Sequence, residues 1–162
     1  MRNPAWLAGL SLLGEYRLSF DLQIYAAEQI SDAYDVVKRF ENIQFILDHA
    51  GAPADRSSDG IGRWENALSR LATLPNIVTK LSGFDMFDQQ WSQQSLGDMV
   101  HRVIERFGPG RCLFGSNFPV SRLYRSYGEL VGAYRRILSN FSPLEQAAIF
   151  GGNAARYYRL AS

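Results

Sequence analysis

Four short apolar runs along the chain end abruptly in polar residues, glycine or proline. They cover residues 18–24, 43–48, 77–82 and 111–116. Runs of this length between turn residues are typical of β-strands in a parallel sheet. The pattern therefore predicts four strands, each with a C-terminal end that opens onto a polar edge.

Between and around these runs, apolar residues recur with the period of amphipathic helices. The predicted helices cover residues 4–16, 31–40, 62–74, 92–107, 127–138 and 143–158. Ser31 and Ser142 are the predicted N-caps of two of these helices. Helices that alternate with strands indicate parallel strands joined by right-handed crossovers.

The strand spacing is that of a barrel, although the chain is short. Strand starts at residues 18, 43, 77 and 111 give repeats of 25, 34 and 34 residues. A (β/α)8 barrel uses about 31 residues for each unit. The 162 residues hold four such units and no recognisable linker. We therefore predict one α/β domain over residues 1–162, with about four parallel strands and flanking helices and with the unit spacing of a (β/α)8 barrel.

The net charge, the lengths of the apolar runs and the cysteine count indicate which partners and sites are not expected. The net charge of +1 gives no electrostatic reason to expect nucleic acid or an anionic membrane. The apolar runs are far shorter than a membrane span, and the N-terminus lacks the apolar core of a signal peptide. Cys112 is the single cysteine, which excludes an internal disulfide and favours a buried, inert thiol. We expect a cytoplasmic protein without nucleic-acid or membrane partners.

Alternation along each strand sorts the side chains by face, because successive residues point in opposite directions. In every predicted strand a polar residue falls at or just past the C-terminal end, where catalytic groups of α/β folds collect. Strand by strand, the residues that share one side are Asp21, Gln23 and Tyr25; Phe45, Leu47 and His49; Val78, Lys80 and Ser82; and Leu113, Gly115 and Asn117.

His49 is the main candidate for chemistry. It is one of only two histidines, so a site with three histidine ligands cannot be built from one copy of the chain. His49 could be a metal ligand or general base, or a histidine bonded to nearby backbone where a loop begins. By alternation, Asp48 should point away from it and bind loop or helix backbone. Lys80 should form an ion pair, with Asp21 or with a strand outside the chain.

Asn117 ends the fourth strand. An aspartate at this point would accept a proton from water and could help bind a metal, whereas asparagine can only orient a water or a carbonyl group. The competing interpretation is a turn residue before Phe118 and Pro119. Tyr25 and Gln23 could hold a substrate, although packing accounts equally well for Tyr25.

Five motifs together carry a resemblance. They are residues 20–25, 45–53, 79–83, 113–120 and 152–158. In this order they resemble the amidohydrolase-related family of metal-dependent hydrolases with a TIM-barrel fold, in the branch that contains sugar lactonases and 2-pyrone-4,6-dicarboxylate lactonase. The resemblance covers nearly the whole chain and corresponds to the C-terminal half of the barrel, because the His-x-His pair of the first barrel strand has no counterpart here.

The resemblance implies hydrolysis of a lactone or similar cyclic ester or amide by an activated water, sometimes with a divalent metal such as Zn²⁺ or Mn²⁺. His49 matches the mid-barrel histidine, which holds the metal or the carbonyl. Asn117 stands where an aspartate is usual in the family. An asparagine cannot take a proton from water as that aspartate does. We expect catalytic roles for His49 and Asn117, a metal-ligand role for His49, and substrate contacts for Tyr25, Gln23 and Ser82.

Three functional hypotheses follow. The first is a hydrolase acting on a small, anionic cyclic ester, with Arg122 and Arg125 as candidate contacts for the anion. The second is a non-catalytic remnant that binds a small molecule or a protein partner. The third, an open α/β nucleotide binder, is disfavoured because no Gly-x-Gly-x-x-Gly or P-loop motif is present. Four strands also leave two open sheet edges, which predicts that the isolated chain either forms a homodimer that completes the barrel or is poorly soluble.

Overall fold

A computed structural model describes residues 1–160. Its sheet has four strands in chain order: β1 Ser19–Leu22, β2 Gln44–Leu47, β3 Ile77–Leu81 and β4 Cys112–Phe114. All three neighbouring pairs are parallel. The predicted four-stranded parallel α/β sheet is therefore confirmed. The assignment of residues 1–162 to one domain stays a prediction, and its last two residues lie outside the described part.

Helices surround the sheet in the predicted order. They are α1 Pro4–Glu15, α2 Ala26–Arg39, α3 Ser58–Ala72, α4 Gln93–Phe107, α5 Tyr127–Ile137, α6 Pro143–Ala147 and α7 Asn153–Tyr157. A π-helical turn, Ala148–Gly152, joins α6 to α7, so the helix predicted over residues 143–158 is interrupted only by this wider turn. No helix among residues 1–160 combines the length and apolarity needed to cross a membrane.

Helix α2 begins earlier than its sequence pattern predicts. Tyr25 precedes the first helical residue, and Ser31 lies inside the helix, so the predicted N-cap at Ser31 is wrong. The segment from Ala26 to Gln29 consists of good helix formers, and Ala26 is fully buried. Helix α2 therefore starts directly after β1, at the C-terminal edge of the sheet. The predicted Ser142 cap of α6 is confirmed.

The two faces of the sheet are covered differently. Phe45 and Leu47 of β2 are completely buried in the main core, among the helices. On the opposite face a small cluster of Ile46, Val78 and Leu113 packs against the C-terminal segment, from Ala154 to Tyr158. This second face is the one that carries Lys80, because Lys80 shares its side of β3 with Val78.

Cys112 is buried at the start of β4. Burial raises the pKa of its thiol to about 12. A thiol with this pKa stays protonated at neutral pH and is a poor nucleophile. The prediction of an inert, buried cysteine is therefore confirmed.

Candidate active site

An unusual turn follows β2. His49, Ala50, Gly51 and Ala52 all have φ between +48° and +71°, in the left-handed region. Each non-glycine residue there is disfavoured by about 1–2 kcal/mol, so surrounding contacts must hold the turn. Trp64 of α3 supplies one such contact, because its Nε1 donates a hydrogen bond of 2.7 Å to the Ala50 carbonyl oxygen.

This turn changes the direction of two side chains. Simple alternation would place His49 on the helix-covered face with Phe45 and Leu47, and would point Asp48 the other way. In the structure Asp48 and His49 line the same cavity, on the face that carries Lys80. The predicted separation of Asp48 from His49 is therefore wrong, because strand alternation ends at Leu47 and the left-handed turn begins at His49.

His49 is half-buried and fixed in orientation. Its Nδ1 lies 2.9 Å from Ser82 Oγ. Its ring also packs on Gly83, where a Cβ atom would come within 2.6 Å of Nδ1. Burial lowers the pKa of His49, partly opposed by the carboxylate of Asp48. The imidazole is therefore mainly neutral at pH 7, and Nε2 is the ring nitrogen left for a water, a substrate or a metal.

Lys80 lies between two carboxylates. Its Nζ is 2.7 Å from Asp21 Oδ2 and 2.7 Å from Asp48 Oδ1. Burial disfavours the ammonium, but the bonds to Asp21 and Asp48 outweigh burial and raise the pKa of Lys80. The predicted ion pair is confirmed, and of the two partners that were left open Asp21 is the one found, together with Asp48. The predicted backbone partner of Asp48 is wrong, since its carboxylate faces Lys80.

Tyr158 closes this network from the C-terminal segment. Its hydroxyl donates to Asp21, with distances of 2.7 Å to Oδ1 and 2.9 Å to Oδ2. Burial raises the pKa of Tyr158 to about 12, so the hydroxyl keeps its proton at neutral pH. Sequence reasoning missed this role of Tyr158, because nothing local in the chain shows that residue 158 returns to the first strand.

Asn117 is a turn residue, as one of its two predicted interpretations requires, and its role toward a water or a carbonyl group stays a prediction. Its φ of +55° makes it a left-handed turn residue, a conformation that asparagine tolerates better than most residues. Its carbonyl oxygen accepts a hydrogen bond from the Ser121 backbone N–H at 3.1 Å. Its side-chain Nδ2 is buried and has no hydrogen-bond partner among residues 1–160. A buried amide donor of this kind is unfavourable until an acceptor reaches it.

We call the space between these groups the first cavity. Its volume is about 260 Å³. It brings together His49, Ser82 and Asn117, which the sequence predicts as site residues, with Lys80 and Asp48. The complete lining is Asp48, His49, Lys80, Ser82, Leu113, Phe114, Gly115, Asn117, Ala154 and Tyr158.

A second cavity of about 510 Å³ meets the first at His49. It contains Gln23 and Tyr25, the other two predicted substrate contacts, so these residues are separated from Asn117 but not from His49. Its lining residues are Gln23, Ile24, Tyr25, Gln29, His49, Ala52, Met86 and Phe87. Arg122 and Arg125 line neither the first nor the second cavity.

The donor set does not fit a complete metal site. Within residues 1–160 no three His, Cys, Asp or Glu side chains lie close enough together to hold a metal ion. Asp48 already faces Lys80 at 2.7 Å. A zinc site in an enzyme needs about three protein ligands. His49 alone has the right chemistry for one of them.

Comparisons with known proteins identify relatives of this chain. An uncharacterised protein of Sinorhizobium fredii, y4mH, is 37% identical over 98% of the chain and 53% of its own length. An L-fucono-1,5-lactonase of Burkholderia multivorans is 33% identical over 98% of the chain and 55% of its own length. The chain thus spans about half the length of these curated relatives.

Solved structures show the same relation. A crystal structure of an amidohydrolase from Burkholderia multivorans with bound zinc has a TM-score of 0.91 and 31% identity, over 98% of this chain and 58% of that one. The four parallel strands with their helices are therefore half of a TIM barrel. A family profile described as Amidohydrolase matches residues 2–160. The chain accordingly belongs to the amidohydrolase family.

Proposed function

We propose that this chain forms part of the active site of a lactone hydrolase. The observation that carries the proposal is the first cavity, which is lined by both His49 and Asn117. The neutral imidazole is fixed through Nδ1 to Ser82, and Asn117 Nδ2 has no hydrogen-bond partner among residues 1–160. Kinship with L-fucono-1,5-lactonases supports a sugar lactone as the substrate.

The two side chains have complementary roles in this proposal. Asn117 Nδ2 donates a hydrogen bond to the lactone carbonyl oxygen, which becomes negatively charged as water attacks the carbonyl carbon. His49 Nε2 takes the proton from that water. When the bond between the carbonyl carbon and the ring oxygen breaks, the ring oxygen receives that proton from the imidazolium. Asn117 therefore need not act as the base.

The charge of the substrate is a separate question. Lys80 is balanced by Asp21 and Asp48, and neither Arg122 nor Arg125 lines either cavity. The expectation of an anionic lactone stays a prediction without support from these residues. An uncharged lactone is the better match, because among residues 1–160 no cation without a carboxylate partner lines either cavity.

His49 is the residue that we propose as a ligand for a divalent metal, Zn²⁺ or Mn²⁺. The amidohydrolase crystallised with zinc supports a metal in the family. In a metal-bound form, His49 Nε2 would be one ligand instead of the base, and the other ligands would come from outside residues 1–160. A bound metal would supply Lewis-acid polarisation of the carbonyl.

The decisive experiment follows lactone opening by the purified chain, from proton release in a weakly buffered solution. L-Fucono-1,5-lactone is the first substrate to test, with Zn²⁺ or Mn²⁺ added in parallel. We expect His49→Ala to lower the rate at least about 100-fold, the usual contribution of a general base. His101→Ala is the matched control, because His101 lies on α4 and lines neither cavity. Equal rates for His49→Ala and the wild type would refute the role of His49.

The non-catalytic alternative has a specific observation in its favour, the asparagine at position 117. It predicts that the chain binds a lactone without opening it, in the presence or absence of metal. Saturable binding with no proton release above the uncatalysed rate would select this alternative.

The sheet edges support a proposal about assembly. β1 and β4 each pair with only one described strand. Unpaired parallel edges favour association with another strand. We propose that the isolated chain forms a homodimer that completes the barrel. Sedimentation of the 162-residue chain should give the mass of a dimer, whereas a stable monomer would overturn the proposal.

A further inference from the structure

The second cavity differs in chemistry from the first. Apart from His49, which is mainly neutral at pH 7, its lining contains no ionisable side chain except the phenol of Tyr25. Three large side chains, those of Tyr25, Met86 and Phe87, give it an apolar part. Gln23 and Gln29 give it two primary amides.

One of these amides is fixed in place. Gln29 Oε1 accepts a hydrogen bond of 2.9 Å from the Tyr25 backbone N–H, at the beginning of α2. Because its oxygen is engaged, the Nε2 group of Gln29 remains to donate to a ligand oxygen. Both glutamine side chains are exposed toward solvent, so they can reach the rim of a bound molecule.

The apolar part of the second cavity and the imidazole of His49 are both held against Gly83. Met86 and His49 both pack on Gly83, since an added Cβ there would lie 2.9 Å from Met86 Cε and 2.6 Å from His49 Nδ1. Phe87 ends the short helical turn Phe84–Met86, and its backbone N–H donates to the Phe84 carbonyl oxygen at 3.1 Å. A ligand portion that rests on Met86 or Phe87 is therefore held at a set distance from the imidazole.

We propose that the second cavity binds the part of the substrate ring that carries its substituents. The ring recognised there is uncharged, bears hydroxyl groups and has one apolar face. This inference rests on the proposed function, because it assumes that the reacting carbonyl lies in the first cavity. Phe87 and Met86 contact the apolar face of the ring. Gln23 and Gln29 donate to its hydroxyl groups. Phe87 is then a residue that determines specificity, and it has no part in breaking the bond.

The first test measures binding and needs no turnover. Methyl glucopyranoside is the uncharged probe, and methyl glucuronopyranoside is its anionic counterpart. Because the chain has only two histidines, the imidazole signals of His49 can be followed by NMR. We expect a saturable shift of the His49 signals with the uncharged probe, and weaker binding of the anion.

Variants at position 87 make the test specific. Phe87→Ala should weaken binding of the uncharged probe about five- to ten-fold, the loss expected for one aromatic contact. The affinity of Phe87→Leu for the uncharged probe should lie between those of the wild type and Phe87→Ala. This intermediate value separates loss of the contact from misfolding. Tyr16→Ala is the control, because this aromatic residue is 73% exposed and lines neither cavity. Absence of a saturable His49 shift, or equal affinity of Phe87→Ala and the wild type, would overturn the inference.

A second comparison separates this inference from the proposed function. δ-Valerolactone has the ester ring without hydroxyl substituents. If both ideas hold, Gln23→Ala raises KM for a sugar lactone more than it raises KM for δ-valerolactone, which has no hydroxyl group for Gln23 to bind. An equal KM for the sugar lactone in both proteins contradicts the inference alone. Pyranoside binding that depends on Phe87, with no opening of either lactone, contradicts the proposed function alone.

Discussion

At the scale of single residues, the site depends on how His49 is held. Its Nδ1 is bonded to Ser82, its ring packs on Gly83, and burial keeps it mainly neutral. The sequence could identify His49 as the residue that closes a strand. It could not show the contact with Gly83, because close packing between two loops depends on how both strands end.

The lowered pKa of His49 predicts a pH dependence of stability. Unfolding returns His49 to its ordinary pKa, near 6.5, so below that pH the unfolded chain binds a proton that the folded chain resists. The contribution of His49 to the free energy of unfolding should therefore fall as the pH drops from about 6.5. NMR titration of the metal-free protein should give a His49 midpoint below 6.5, with His49→Gln used to assign the signal. A midpoint at or above 6.5 would contradict the burial argument.

Gly83→Ala should disturb the site directly. Gly83 has a φ of +69°, and the new Cβ would lie 2.6 Å from His49 Nδ1. We expect a loss of about 1–3 kcal/mol in the free energy of unfolding, together with a displaced imidazole. Urea denaturation and the His49 NMR signals measure the two effects. Gly62→Ala is the matched control, since its Cβ would meet no atom within 4 Å. Equal stability of the two variants would show that the contact is easily relieved.

At the scale of secondary-structure elements, the important feature is the left-handed turn between β2 and α3. Alternation along β2 predicted opposite directions for Asp48 and His49, and the turn brings both to one cavity. A left-handed run that includes three non-glycine residues has no clear local signal. It persists because β2, α3 and α2 pack around it, with Gly51 so close to Ala26 that a Cβ would lie 2.5 Å from the alanine methyl group.

Trp64→Phe tests the support that α3 gives to this turn. The substitution removes the hydrogen bond to the Ala50 carbonyl oxygen and leaves that buried acceptor unpaired. We expect a loss of about 1–3 kcal/mol in the free energy of unfolding, and a shift of the His49 signals. Trp91→Phe is the comparison, because Trp91 Nε1 is buried without a hydrogen-bond partner in residues 1–160. If both variants lose the same stability, the Trp64–Ala50 bond is not what holds the turn.

At the scale of the whole molecule, the C-terminal segment crosses the face of the sheet that carries Lys80. The hydroxyl of Tyr158 donates to Asp21 on β1. Ala154, Tyr157 and Tyr158 pack on the small cluster of Ile46, Val78 and Leu113. Tyr158, which lines the first cavity, therefore links the C-terminal segment to β1. The half barrel gains a partial cover on its inner face in this way.

Tyr158→Phe should weaken this link without changing the packing. Asp21 loses its hydroxyl donor, so we expect a loss of about 1 kcal/mol in the free energy of unfolding, measured by urea denaturation. Tyr16→Phe is the control, since Tyr16 is 73% exposed. Unchanged stability in Tyr158→Phe would indicate that Lys80 alone satisfies Asp21.

The sequence by itself determined the four strands, their parallel order, most of the helices, the inert thiol of Cys112 and the need of Lys80 for an ion-pair partner. These follow from local periodicity, and from the high free energy of a buried charge that lacks a partner. Only the tertiary structure decided the shared cavity of Asp48 and His49, the reach of Tyr158, and the separation of Tyr25 from Asn117. Those features depend on left-handed turns and on contacts between distant segments, which arise when the whole chain packs.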